Sequence, residues 1–94
     1  MTKNELIKKV WVKCKTYSRQ DIALAVQAIL DAMVGALKKN DRIEIRGFGT
    51  FTVRERKARM ARNPKSGALV MLKDRRVAFF KAGKDIRLRV ENPG

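Results

Sequence analysis

Histidine is absent from this 94-residue chain. The commonest general base and metal ligand is therefore missing, and catalytic triads or dyads built on imidazole go with it. Cysteine occurs once, as Cys14, which excludes an intramolecular disulfide framework and a multi-cysteine zinc site. Carboxylates are scarce and scattered: nine Asp plus Glu in all, with only Glu55 and Asp74 near the most basic segment. A metal-dependent nuclease needs them clustered. No uninterrupted apolar run approaches the roughly 18 residues of a membrane span. The N-terminal Met1-Thr2-Lys3-Asn4-Glu5 lacks the apolar core of a secretory signal. The expectation is a soluble, non-catalytic protein that stays where it is made, with no metal, cofactor, small-molecule substrate or membrane to bind. Its length suits one domain with a modest core.

What the chain does have is positive charge. Its 23 Lys plus Arg give a net +14 and a pI near 10.8. Residues 1–41 carry 8 basic and 4 acidic side chains, whereas residues 42–94 carry 15 and 5. The excess is densest from Arg54 to Lys65, where Arg54, Arg56, Lys57, Arg59, Arg62 and Lys65 oppose only Glu55. A single-sign field costs self-repulsion and usually serves binding, so a polyanion is the expected partner.

Periodicity places helices first. Thr2 followed by Glu5 is a capping box, and Leu6, Ile7, Val10, Trp11 and Cys14 recur at spacings of three and four, predicting an amphipathic helix from 3 to about 14. Ser18 is a second N-cap, with Asp21 in the first turn of a helix that runs to about Lys39 and is stopped by Asn40 and Asp41. From Ile22 to Leu37, 13 of 16 residues are apolar, and Gln27, Asp31 and Gly35 fall on one narrow stripe. Most of this helix's circumference must be buried. A chain this small lacks the surface to cover it, which implies an intertwined homodimer or a heterodimer with a related subunit.

After Asp41 the period changes. Arg42-Ile43-Glu44-Ile45-Arg46 alternates strictly and reads as a strand with Ile43 and Ile45 facing a core. On the other face Glu44 and Arg46 are suited to an exposed ion pair worth less than about 1 kcal/mol. Gly47-Phe48-Gly49 marks a tight turn; Thr52 stands where a dinucleotide fingerprint needs its third glycine, so no phosphate cradle is expected. Thr50 to Arg56 resumes as strand, with Phe48 and Phe51 expected in the core. Residues 57–74 read as a polar, basic, protruding hairpin turning at Asn63-Pro64-Lys65-Ser66-Gly67, loosely ordered without a partner. Val77, Phe79 and Phe80 return to strand. Ile86, Leu88 and Val90 fit either a strand or a short helix.

Arg42-Ile-Glu-Ile-Arg-Gly-Phe-Gly-Thr-Phe51, Arg54-Glu-Arg56, Arg62-Asn-Pro-Lys-Ser-Gly67 and Phe80-Lys-Ala-Gly-Lys84 together resemble the bacterial HU/IHF family of DNA-bending proteins, in order over essentially the whole chain. The resemblance implies an α+β fold: two N-terminal helices, a three-stranded antiparallel sheet with a long protruding β-ribbon arm, and a short C-terminal helix from about Gly83. It also implies one domain over 1–94, with a helical dimerisation part at 1–41, the sheet and C-terminal helix at 42–94, and the arm at about 55–76. The family's arm tip falls on Arg62, Asn63 and Pro64, where the proline wedges between base pairs and the arginine lies in the minor groove. Arg54, Arg56, Lys57, Arg59, Lys65, Arg75 and Arg76 match phosphate-contacting arm or saddle positions, and Lys84 matches a further DNA-contacting position.

Ala61 departs from the family's usual glycine, and Ala78 and Ala82 depart from frequent prolines. The residues before Gly-Phe-Gly are more like the IHF beta-type branch than most HU chains. That branch places Glu44 and Arg46 against the minor groove, where they add sequence preference. The function implied is architectural: a dimer that bends duplex DNA in the nucleoid, compacting it or assisting recombination, replication and transcription. A small ribosomal-type RNA-binding protein shares the size, charge and exposed arm, and differs by preferring A-form or single-stranded RNA.

Overall fold

The computed structural model describes residues 1–92; Pro93 and Gly94, the end of the expected 1–94 domain, lie outside the described residues. Eight elements follow in order: α1 (Lys3–Lys13), α2 (Arg19–Lys38), β1 (Ile43–Ile45), β2 (Gly49–Arg56), β3 (Arg59–Arg62), β4 (Leu69–Leu72), β5 (Arg75–Ala82) and α3 (Lys84–Glu91). They form the expected α+β arrangement. The chain divides into two compact units, Met1–Gly35 and Ala36–Gly94.

In the first unit both helix starts are capped as their sequences dictate. Thr2 Oγ1 accepts from Glu5 N at 3.2 Å, and Ser18 Oγ accepts from Asp21 N at 3.0 Å. The chain between the helices is held by Trp11, whose indole Nε1 donates to the Tyr17 carbonyl at 3.1 Å. Ile7, Ile22 and Val26 form the buried core, with Leu6, Val10, Trp11 and Leu30 packed against it. The polar stripe is real: Lys3 Nζ donates to Gln27 Oε1 at 2.6 Å, and Gln27 Nε2 donates to Asp31 Oδ1 at 2.8 Å.

The second unit is built on an antiparallel sheet of order β1-β2-β5, with β3 and β4 paired separately as the ribbon. Glycine at 49 is a packing requirement, because a Cβ there would lie 2.6 Å from both the Lys81 carbonyl oxygen and the Phe80 ring. Phe80 packs in tilted geometry on Phe48 and Phe51, with centroids 5.4 and 4.7 Å apart, as one aromatic cluster; Phe51 is half-buried, whereas Phe48, also expected in the core, is 42% exposed in the isolated chain. The ambiguous segment after Gly83 is helical. Gly83 takes the N-cap position, Asp85 sits in the first turn and Arg89 in the last, charges that suit the helix dipole.

The end of α2 is the unit's other fixed point. Asn40 adopts φ +61, while Asp41 N donates to Ala36 O at 2.9 Å and Asn40 N to Leu37 O at 3.1 Å. These are the paired bonds of a Schellman cap, with asparagine as the left-handed residue.

α2 departs from the sequence expectation in one respect. By length and composition it is apolar enough to cross a membrane, although no uninterrupted run reaches that length. The hydrogen-bonded Lys3-Gln27-Asp31 stripe would strand polar groups in hydrocarbon, which favours a protein interface over a lipid one. Leu24, Ile29 and Val34 remain 64, 60 and 51% exposed in the isolated chain. These exposed apolar side chains of α2, which lie around the helix rather than on one face, are therefore expected to be covered by a second chain. At micromolar concentration the purified protein should sediment as a dimer whose thermal midpoint rises with concentration. A stable folded monomer would contradict this.

Candidate nucleic-acid interface

The positive field is almost wholly unneutralised from within. Among the described residues there is one ion pair, Arg42 Nε to Glu44 Oε1 at 2.7 Å, with both side chains exposed. This corrects the expected pairing of Glu44 with Arg46. Arg42 and Glu44 share a face by strand alternation, whereas Arg46 lies past the end of β1 in the turn.

The base of the arm sorts its cations by strand parity. Thr52 pairs with Phe79, Arg54 with Val77, Glu55 with Arg76 and Arg56 with Arg75. Arg54, Arg56 and Arg75 consequently share the sheet face opposite the aromatic cluster, while Glu55 and Arg76 share the cluster's face. Arg56 and Arg75 are directly opposite, an arrangement of like charges that is destabilising unless an anion lies between them. Arg54 lies over Phe79, its guanidinium carbon 3.6 Å from the ring centroid.

Arg76 is placed differently from the other arginines at the arm's base. Its guanidinium donates to the Leu37 carbonyl at 2.9 Å, to the Lys38 carbonyl at 3.3 Å, and to Asn40 Oδ1. It satisfies carbonyls left open at the end of α2 and sits at the negative end of that helix's dipole. The expectation of a phosphate contact gives way here to a brace within the fold. Parity was the available signal, since Arg76 alternates with the core-facing Ala78 and Phe80 rather than with Arg75.

Beyond Arg56 and Arg75 the ladder is interrupted by Lys57-Ala58 on one strand and Lys73-Asp74 on the other. Ala58 N donates instead to Asp74 Oδ1, so a side chain carries the bond the ladder lacks. The ribbon then pairs Arg59 with Leu72, Met60 with Met71, Ala61 with Val70 and Arg62 with Leu69. It is less polar than expected: β4 is Leu-Val-Met-Leu, and Leu69 and Met71 are 60 and 63% exposed. Ala61, at the family's usual glycine, lies in β3 with no positive φ, so alanine fits without strain.

The tip is tightly bonded. Asn63 N donates to Ala68 O at 2.8 Å, Gly67 N to Asn63 O at 2.7 Å, and Lys65 N to Asn63 Oδ1 at 2.9 Å, an Asx turn. Arg62 Nη1 folds back on the Gly67 carbonyl at 2.7 Å, and Gly67 supplies the left-handed φ of +72 that closes the loop. Pro64, with no N–H to satisfy, is left exposed within this frame.

Arg46 lies exposed in the β1–β2 turn, and Lys84 opens α3. Next to Lys84, the side chains of Arg42, Lys81 and Arg87 join it around an open depression of about 390 Å³. Those three cations were not singled out in the sequence, because each stands alone in its own segment. The structure thus groups the candidate residues at four places: the sheet base, the interrupted elbow, the tip, and the turn beside α3. Arg76 alone is diverted from that surface.

The family model described as "Bacterial DNA-binding protein" matches residues 1–91. An integration host factor subunit beta of Pasteurella multocida is 47% identical over 91 residues, covering 97% of each chain. An HU protein of Anabaena, solved in a cocrystal with DNA, superposes with a TM-score of 0.85 at 35% identity, covering 99% of this chain and all of that one. A point mutant of HU from Thermotoga maritima gives a TM-score of 0.70 at 31% identity, covering 96% of this chain and 99% of that one.

The division between bracing and field-bearing arginines is testable without any ligand. Arg76→Ala should lose about 1 kcal/mol or more of helix-end stabilisation, lowering the thermal midpoint by roughly 4 to 8 °C at fixed protein concentration. Arg56→Ala should leave it unchanged or raise it slightly, since it removes the like charge facing Arg75. Equal destabilisation by the two in parallel melts would contradict the assignment.

Proposed function

Since the chain belongs to the bacterial HU/IHF family of DNA-binding proteins, we propose that it is a non-catalytic architectural protein that binds duplex DNA in the minor groove as a dimer and bends it. The supporting observation is the row of exposed, internally unpaired cations running from the sheet base into the arm. The match over residues 1–91 does not favour the RNA-binding alternative.

In this reading the helical part, residues 1–41, makes the dimer, and two arms reach around the duplex. Arg54, Arg56, Lys57, Arg59, Lys65 and Arg75 neutralise phosphates, with Lys84 adding a contact beside α3. Arg62 enters the minor groove, Asn63 holds the tip's shape, and each Pro64 props open a base step. Unstacking costs about a few kcal/mol per step, offset by the contacts that bent DNA gains along the protein. Arg46 follows the pattern of the IHF beta branch and lends sequence preference, while Glu44 is held by Arg42. The relatives' designation as a subunit supports a related second subunit as partner, with a homodimer as the alternative. Such a protein works on the nucleoid, in the cytoplasm.

Counterion release should dominate affinity. For about 6 to 10 phosphate contacts, log K should fall against log salt with a slope of about −5 to −9. Fluorescence anisotropy across a salt series measures it, and a nearly salt-independent affinity would contradict the reading. Arg46→Ala should weaken sequence preference while lowering the slope by only about one.

Pro64→Ala separates a wedge from a turn residue. A proline serving only to rigidify the turn would lose about 0.4 to 1 kcal/mol of stability on replacement. A wedge should leave stability nearly unchanged, and the variant should bind straight duplex almost as well as the parent while bending it less. Energy transfer between dyes on the ends of a duplex of about 35 base pairs reads the bend, in the length range where smooth bending is costly. An unchanged end-to-end distance at saturating protein would reduce Pro64 to a turn residue.

A further inference from the structure

Phe79 stands apart from the other three phenylalanines. Phe48, Phe51 and Phe80 cluster together on one side of the sheet. Phe79 pairs with Thr52, one residue out of phase with Phe80, and so occupies the opposite face. Its ring is half-buried, and Arg54 lies across it, the guanidinium carbon 3.6 Å from the centroid. The two are diagonal cross-strand neighbours, because Arg54 is directly opposite Val77, and that spacing suits a long side chain lying over a ring. Among the described residues Arg54 has no ion pair and no side-chain hydrogen bond.

A guanidinium stacked on a ring spends its π face on the aromatic and keeps all five N–H donors directed outward in its own plane. That is the geometry for bidentate recognition of a phosphate. An arginine free in solvent must lose side-chain rotamer freedom to reach it. We infer that Phe79 is a positioning residue for DNA binding: it holds the Arg54 guanidinium flat on the outer face of the sheet, ready for a phosphodiester oxygen pair. The inference rests on the DNA-binding reading above and adds to it an aromatic side chain that carries no charge and touches no phosphate.

The test is a double-mutant cycle on full-length dimer, with anisotropy on a duplex of about 35 base pairs and the salt slope recorded for each variant. Phe79→Leu keeps an apolar group but removes the ring. It should weaken binding about three- to tenfold with the slope unchanged, since no cation is lost. Arg54→Ala should weaken binding and lower the slope by about one. In the Arg54→Ala background, Phe79→Leu should then have no further effect, and Phe79→Tyr in the parent should recover affinity. A loss from Phe79→Leu that is equal in both backgrounds, or no loss, overturns the inference. If Phe79→Leu fails to fold, Arg54→Lys serves instead: it keeps the charge but not the planar stack. It should show the same loss at unchanged slope, and full affinity would overturn the inference. Ring-current shifts of the Arg54 side-chain protons in the free protein report the stack by itself, and random-coil shifts there also overturn it. If the shifts are present but the parent does not bind duplex at any salt, the DNA-binding reading fails and this inference with it.

Discussion

Like charges held close together set the terms for the basic half of the chain. Arg56 faces Arg75 across the β2–β5 ladder, Lys57 and Lys73 follow at the elbow, and one ion pair, Arg42 with Glu44, is the sum of internal neutralisation among the described residues. Backbone pairing must hold these cations against their mutual repulsion, and several local devices serve that end. Asp74 bonds Ala58 N where the ladder is interrupted. Arg54 spreads over Phe79. Arg76 turns away to the negative end of α2, where a cation is favourable without any acid. What remains exposed is positive charge with no partner in the fold, which a polyanion relieves on binding.

The other half has the opposite deficiency, apolar surface without cover. α1 and α2 bury Ile7, Ile22 and Val26 between them and leave Leu24, Ile29 and Val34 exposed. Folding of this part is therefore tied to association, and the effective stability depends on protein concentration. The Lys3-Gln27-Asp31 chain of hydrogen bonds gives α2 a defined polar stripe.

The elements governed by local rules were legible in the sequence. Capping residues marked the starts of α1 and α2, Asn40 marked the end of α2, and alternation marked β1, though Ile45 and Phe48, expected to face a core, are 39 and 42% exposed in the isolated chain. The C-terminal segment was ambiguous because Ile86, Leu88 and Val90 satisfy two periods at once, and Gly83 with flanking charges of the right sign decides for helix. Less legible was anything set by which face a charged residue takes. Arg75 and Arg76 are adjacent and chemically identical, yet one strand position of difference sends the first to the outer face and the second to a helix end. Glu44 found Arg42 rather than Arg46 because the strand stops at Ile45. The apolar run of β4 was masked by its basic flanks. Which faces Phe79 and Phe80 take was not legible either, because only the pairing of β2 with β5 supplies the register.

The arm tip combines local order with unpaired positive charge. A wedge that must unstack a base step gains nothing from a loop that first has to be ordered, since the ordering entropy adds to the unstacking cost. The tip is already ordered by its own bonds. Asn63 accepts from Lys65 N and Gly67 N and donates to Ala68 O, and Arg62 ties the strand end to Gly67. Proline costs this frame nothing, because the position has no donor to lose. Asn63 is accordingly a scaffold for the exposed ring of Pro64. In the proposed entry of Arg62 into a groove, its guanidinium would either keep the Gly67 carbonyl or exchange it for an acceptor on the DNA. An arginine bonded to a neutral carbonyl holds the loop in the free protein yet still prefers an anion, for an anionic oxygen adds a full opposite charge that the carbonyl lacks. The tip is thereby kept in shape until DNA arrives, without binding its own arginine too tightly to release it.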